Sequence, residues 1–351
     1  MTAQAKRRAL IILSSARQLP LSEPASVPSI STGFFLVELA QVLAEFESDY
    51  EFTLATPDGE APQLDINGMG LSFHAIDKLG SAMMSSLSAF SSPAFTPESY
   101  RKDHPEWVAR RKSELALMQR HIGRVSVSEA LPATDPEATA FRQDLLREME
   151  AWPVKTFLSL EDLIRCHRDP GDRFSLADFD FIHAPGGHAP MVDFRNDPWL
   201  GETLHVARES EVLISLICHA PIAMTSTSQR IDAQGKPVPV TDNPFAGVDI
   251  TTVPEHGEMA MLESGYPSVP GKRTRLAYFV DVALEDAGFS VKTSQNPFAV
   301  IVVQSPQVGL ISGNGPQAID MQALAIRLAL ADRSVSPPGV KRTEALSPRR
   351  S

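Results

Sequence analysis

The sequence predicts an α/β sandwich with a largely parallel central sheet flanked by helices. Three observations carry this. Short apolar runs rich in β-branched residues alternate with amphipathic stretches along most of the chain. The first three elements read strand, helix, strand, the order of a right-handed parallel βαβ unit. The 351 residues suffice to bury a large core as one domain, or as a domain with a substantial insertion.

Residues 9–14 form the first strand, directly after a basic start. A Pro- and Ser-rich stretch, 18–31, is long for a connection inside a compact domain, which places it at the border of a site. Residues 32–46 read as a helix, because Phe35, Leu39, Val42 and Phe46 share one face. Glu38 sits beside that stripe; on helical spacing alone it reads as a solvated position. Residues 51–56 are the second strand, ended by Pro57-Asp-Gly. The stretch 65–96 mixes Gly, Met and Ser without a readable period. Two charged helices follow, over 97–122 and 135–152, with wide polar faces suited to the surface of the sheet. Cys166 lies among charges and reads as an incidental thiol; Cys166 and His167 lack companion ligands for a metal.

Residues 179–184 are the next strand and open into Pro185-Gly-Gly-His-Ala-Pro190. Paired glycines let backbone N–H groups approach a ligand, and such donors can stabilise an oxyanion. The same pair also suits an ordinary turn. Asp197-Pro198 signals the start of a helix over 200–208. The apolar run 211–217 then stops at Cys218-His219-Ala220-Pro221. Pro is favoured at the first position of a helix. The stretch therefore reads as strand, tight turn, helix, with a thiol at the turn, the layout of a nucleophile elbow. A buried structural cysteine is the blander alternative. Residues 248–253 are a strand that runs into Pro254-Glu-His-Gly-Glu258. A helix over 275–288 capped by Gly288, short strands at 289–293, 299–304 and 308–311, and a helix over 316–331 complete the pattern. Sites in open α/β sheets lie at the carboxyl ends of the strands. Gly187, Cys218 and Glu258 each follow such an end, which favours a functional thiol.

The formal net charge of −11 excludes a broad basic footprint for nucleic acid. No apolar run is long enough to span a membrane, and no secretory signal is evident. Two cysteines give neither a disulfide framework nor a zinc set, so the expected setting is reducing and cytoplasmic. The expected layout is a single domain over 1–333 with a helical insertion at about 95–172, and a polar, Pro-rich, basic tail over 334–351 that is expected to be disordered.

Four segments resemble the ThiJ/PfpI superfamily, a branch of the class I glutamine-amidotransferase-like fold. The resemblance is greatest to its larger, heat-shock-chaperone-like members with glyoxalase III activity. The segments are Thr32-Gly-Phe-Phe-Leu-Val-Glu38, Ala184-Pro-Gly-Gly-His-Ala-Pro-Met-Val-Asp193, Cys218-His-Ala-Pro221 and Pro254-Glu-His-Gly-Glu258. Asn196-Asp-Pro, Gly265-Tyr-Pro and Ser312-Gly add to it. The resemblance implies a flavodoxin-like sheet and a homodimer. It implies Cys218 as nucleophile, His219 as its catalytic partner, Glu258 as the acid that orients His219, and Glu38 reaching the thiol from the first helix. Backbone amides near Gly187 and His188 would form an oxyanion pocket. The implied reaction converts a small 2-oxoaldehyde, methylglyoxal, to lactate (the D-lactate dehydratase type of hydro-lyase) with no metal or organic cofactor. Such chemistry calls for a lowered thiol pKa and for a protonated Glu38, so that two anions do not meet.

The sequence departs from the family at Leu216 and Ala220, where a small residue and a Gly are usual. It also shifts an Asn by one place in Gly313-Asn-Gly-Pro316 and carries a long insertion. These departures leave room for a hydratase or hydrolase of a larger carbonyl metabolite. A non-enzymatic stress or chaperone-like protein, with Cys218 as an oxidation sensor, is the third reading; it has no need of an acid behind His219.

Overall fold

A computed structural model of the chain describes residues 6–131, 134–264 and 266–335. Gly265 and residues 336–351, the greater part of the expected tail, lie outside the described residues. The central sheet is built from β1 (Arg7–Ile12), β2 (Tyr50–Thr56), β3 (Leu158–Ser159), β4 (Phe181–Ala184), β5 (Leu213–Ile217), β6 (Val302–Ser305) and β7 (Leu310–Gly313). Their order is β6-β7-β5-β4-β1-β2-β3. Every neighbouring pair is parallel except β6 with β7. β4 and β5 are buried at each residue, as strands covered on both faces must be. Side chains alternate between layers: Leu10, Ile12, Ile182, Ile214 and Leu216 enter one cluster, while Ala9, Phe181, Leu213 and Ile217 enter another. From β1 the chain moves to one side through β2 and returns on the other through β4. The carboxyl ends of β1 and β4 therefore flank a switch point, where such sheets place their ligands.

Besides the single turn Pro190–Asp193, the α-helices among the described residues are α1 (Leu36–Phe46), α2 (Leu79–Phe90), α3 (Pro97–Asp103), α4 (Pro105–His121), α5 (Pro136–Met149), α6 (Leu160–Arg168), α7 (Pro198–Glu209), α8 (Glu255–Ser264), α9 (Val280–Asp286) and α10 (Ile319–Val335). Several differ from expectation for identifiable reasons. α1 starts at Leu36 and not at residue 32, because Phe34 bonds in extended form to Gln63 and Asp65 (2.8 and 3.0 Å). The helix expected over 97–122 divides at His104, since Pro105 has no N–H to continue it. The helix expected over 275–288 shrinks to α9, because Arg275–Leu276 pairs antiparallel with Glu23 and Leu21. The stretch after the elbow is a run of 3-10 turns, Ala220–Ser228, and not an α-helix. There Thr225 and Thr227 donate back to the carbonyls of Ile222 and Met224 (2.8 and 2.7 Å), a local competition that hydroxyl side chains offer.

The loop 18–31 is a hairpin, and 65–96 holds 3-10 turns followed by α2. Within 95–172, α3, α4 and α5 are tied together by the buried Glu137. It accepts two bonds from Arg111 (2.7 and 2.8 Å) and one from Arg101 (2.5 Å). β3 and α6 fall in the same segment yet belong to the sheet and its covering layer. No helix among the described residues is long and apolar enough to cross a membrane.

Candidate active site

Cys218 follows the last residue of β5 and has φ +63°, a conformation that L-residues seldom adopt. Its backbone is held from both sides. The N–H donates to the Gly313 carbonyl (2.9 Å), and the carbonyl accepts from the Thr252 hydroxyl (2.6 Å) and the Val253 N–H (3.4 Å). Residues 252 and 253 lead into α8, so the same bonds that fix the elbow deliver Glu258. Gly186 lies against the thiol: a Cβ there would stand 2.5 Å from the Cβ of Cys218. The space that a tight elbow needs thus comes from the neighbouring loop. Leu216 and Ala220 are simply buried beside it.

All six sequence candidates converge here. Cys218 Sγ is 3.2 Å from His219 Nδ1, and His219 Nε2 is 2.9 Å from Glu258 Oε2. The bond to a carboxylate requires a proton on Nε2, leaving Nδ1 free to accept the thiol proton. Glu38 stands in the first turn of α1, and its Oε2 accepts from the Gly186 N–H (2.7 Å). Its Oε1 has no hydrogen-bond partner of ordinary length, with the Cys218 thiol beside it. The Gly187 amide acts on the Cys218 sulfur, favouring its charged form. His188 brings a side-chain role that the sequence reading did not include. It enters through its imidazole, whose Nε2 meets Glu258 Oε1 at 2.7 Å, and its ring lies 4.3 Å from that of His219. Cys218, His188, His219, Glu258 and Glu38 are each at most 4 % exposed.

Burial and charge set the proton distribution. Burial pushes Glu38 up to about 7, against the opposing pull of the Gly186 amide and the thiol. Burial, then the charge of Glu38, pushes the Cys218 thiol well above its ordinary range; the Gly187 amide only partly opposes this. The lowered thiol pKa expected from the sequence is therefore not what the site provides. Burial also acts upward on Glu258, but His188 and His219 outweigh it and hold the carboxyl below the usual carboxylate range. His219 is pushed down by burial and by His188. His188 is raised, because Glu258 overcomes burial. Of the two imidazoles, His188 therefore holds its proton more tightly.

A further chain lies beneath. Gln322 donates to the Ser215 hydroxyl (2.8 Å), and Ser215 donates to His183 Nδ1 (3.0 Å). His183 Nε2–H then donates to the backbone carbonyl of Glu38 (3.1 Å). Burial drives the His183 pKa down to about 4, so the ring is neutral. Cys166 lies apart, partly exposed on α6, with Asp172 raising its pKa.

No family model matches the chain. In sequence it is similar to the protein/nucleic acid deglycase HchA of Staphylococcus aureus (strain bovine RF122 / ET3-1), 28% identical over 163 residues, 46% of this chain and 48% of that protein. The match thus spans about half the length of this curated relative. Among solved structures, glyoxalase III from Candida albicans is 15% identical with a TM-score of 0.49, covering 92% of this chain and 97% of that one. A ThiJ/PfpI domain protein from Brachyspira murdochii is 9% identical with a TM-score of 0.42, covering 95% and 100%.

This arrangement can carry out nucleophilic addition with proton transfer from Cys218 to His219 as the bond forms. His188, His219 and Glu258 also offer ligand atoms within 4.8 Å of one another, a set that a count of cysteines does not reveal. Metal binding there would withdraw His219 Nε2 from its acid. The imidazole of His188, Gly186, Thr252 and the His183 chain escaped the sequence reading. The Gly-Gly-His run marked the loop, but no periodicity shows which way a loop imidazole turns.

Proposed function

We propose that the chain is a cysteine-dependent enzyme acting on reactive carbonyls, and specifically a cofactor-free enzyme that converts 2-oxoaldehydes to 2-hydroxy acids. The carrying observation is the line Cys218 Sγ–His219 Nδ1–Glu258, at 3.2 and 2.9 Å, on a strained elbow. The thiol is held as S–H at rest. Its sulfur attacks the aldehyde carbon as its proton passes to Nδ1 of His219, giving a hemithioacetal. The Gly187 amide and protonated Glu38 stand beside the sulfur, placed to bond the oxygens that gain charge. A base, His219 or Glu38, then moves the hydrogen of the former aldehyde carbon to the adjacent carbonyl carbon through an enediol. The first carbon is oxidised and the second reduced, so no external oxidant enters. Water cleaves the resulting thioester, releasing the 2-hydroxy acid and restoring the thiol.

The relatives named a deglycase and a glyoxalase III accord with carbonyl chemistry. A redox-sensor role fits less well. Oxidation follows thiolate character and exposure, and this thiol is buried with a raised pKa. Cys218→Ser is expected to lower 2-oxoaldehyde turnover by at least about 10⁴-fold. The check is lactate formation from methylglyoxal, and an unchanged rate would sink the covalent mechanism.

A further inference from the structure

Beside the thiol lies a fourth apolar cluster, separate from the three that pack on the sheet. Phe35, Phe73 and Leu79 are buried at its centre, with Met83, Met261 and Tyr266 partly buried around them. Phe35 meets Phe73 edge-on at 5.4 Å and Tyr266 at 6.4 Å, and Tyr266 meets the His188 ring at 5.8 Å. Phe35 is also close to the reacting atoms. Its ring stands 3.1 Å from where a Cβ on Gly187 would lie, and a Cβ on the adjoining Gly186 would stand 2.5 Å from the Cβ of Cys218. Phe35 caps the start of α1, three residues before Glu38, and Met261 lies on α8, three residues after Glu258, so the elements that carry the two carboxyls each add an apolar side chain to this wall. Phe73, Leu79 and Met83 come from the segment after β2 that the sheet itself does not use.

We infer that the substrate carries an apolar group larger than methyl, an aryl or branched alkyl group on the carbonyl, and that this cluster receives it. The inference rests on the proposal that Cys218 attacks a carbonyl carbon. None of the six side chains carries a charge that could bind an anionic or sugar-phosphate group, and the polar groups near the sulfur are those needed for the two carbonyl oxygens. The two methionines are the adaptable members: unbranched and partly exposed, they can change rotamer and yield their place to an incoming ring.

Two measurements on the full chain test this. In turnover, phenylglyoxal should exceed methylglyoxal in kcat/KM by about 10-fold or more. In alkylation, the rate at Cys218 with phenacyl bromide relative to iodoacetamide, read by mass spectrometry of the Cys218 peptide, should exceed the same ratio for glutathione by about 10-fold. Met83→Gln and Met261→Gln keep side-chain length but add polarity, and should each reduce that alkylation preference about 3-fold or more. An alkylation ratio equal to that of glutathione, or methylglyoxal as the better substrate, overturns the inference while leaving the carbonyl reading in place. A clear phenacyl preference with no turnover of either aldehyde overturns the carbonyl reading and leaves the apolar subsite standing.

Discussion

Glu38 and Glu258 are both buried, both belong to helices, and both lie close to Cys218, one beside the thiol and one behind His219, yet they are driven in opposite directions. Glu38 faces one backbone amide and a thiol, and burial raises it to about 7. Glu258 lies between two imidazoles, and their attraction overcomes the same burial. The difference is one of partners and not of depth: a buried carboxyl keeps its charge only where cations or strong donors surround it. The cleft thus has a neutral side, where proton donation to an anion is possible, and a charged side that holds an imidazole in one tautomer.

The largest effect should come from the charged side. Glu258→Gln can still bond an imidazole but supplies no charge, and is expected to cost on the order of 10³-fold in kcat. If only thermal stability changes, Glu258 is structural. On the neutral side, Glu38→Gln keeps an acceptor for the Gly186 amide and removes the titration. A loss of about 10- to 100-fold is expected. Activity that depends on protonated Glu38 should decline as pH rises through about 7 in the parent, and this limb should be absent in the variant. A pH–rate profile unchanged by the substitution would contradict the assignment.

His188→Asn should cost less, about 3- to 10-fold, because it removes one of two partners of Glu258. Its diagnostic is a shift of the acid limb of kcat/KM to higher pH, as Glu258 loses a cation. A separate effect is on stability. Glu38 has a raised folded-state pKa, so its contribution is full below about 4.5 and is lost as pH rises through about 7. The amount at stake is on the order of 3 kcal/mol. Glu258, being lowered, contributes above 4.5 and loses that contribution as pH falls. Urea unfolding between pH 4.5 and 7 should therefore show a flatter pH dependence for Glu38→Gln than for the parent.

How much of this was legible in the sequence depended on whether a signal was local. The apolar run before Cys218 and the switch to Pro221 announced strand and turn. The βαβ start announced the sheet, and the strand ends grouped Gly187, Cys218 and Glu258. Glu38 was not legible from spacing, since a first-turn position reads as solvated until β4 is laid against α1; the family resemblance supplied it. The 3-10 run after the elbow was missed because Pro221 signals a helix start without fixing its hydrogen-bond pattern, which Thr225 and Thr227 altered. The turn of the His188 ring depends on Glu258, 70 residues away. Only the folded chain brings such a pair together.

The buried chain from Gln322 to the carbonyl of Glu38 leads somewhere else. Each proton in it has one donor and one acceptor, and the ring of His183 is neutral. At one end is an amide that does not release a proton, and at the other a peptide carbonyl that does not take one. The chain joins four elements beneath Cys218 but conducts no proton along itself. It acts as an insulating floor: this route does not carry protons from Glu38, Cys218, His219, Glu258 or His188 down into the core.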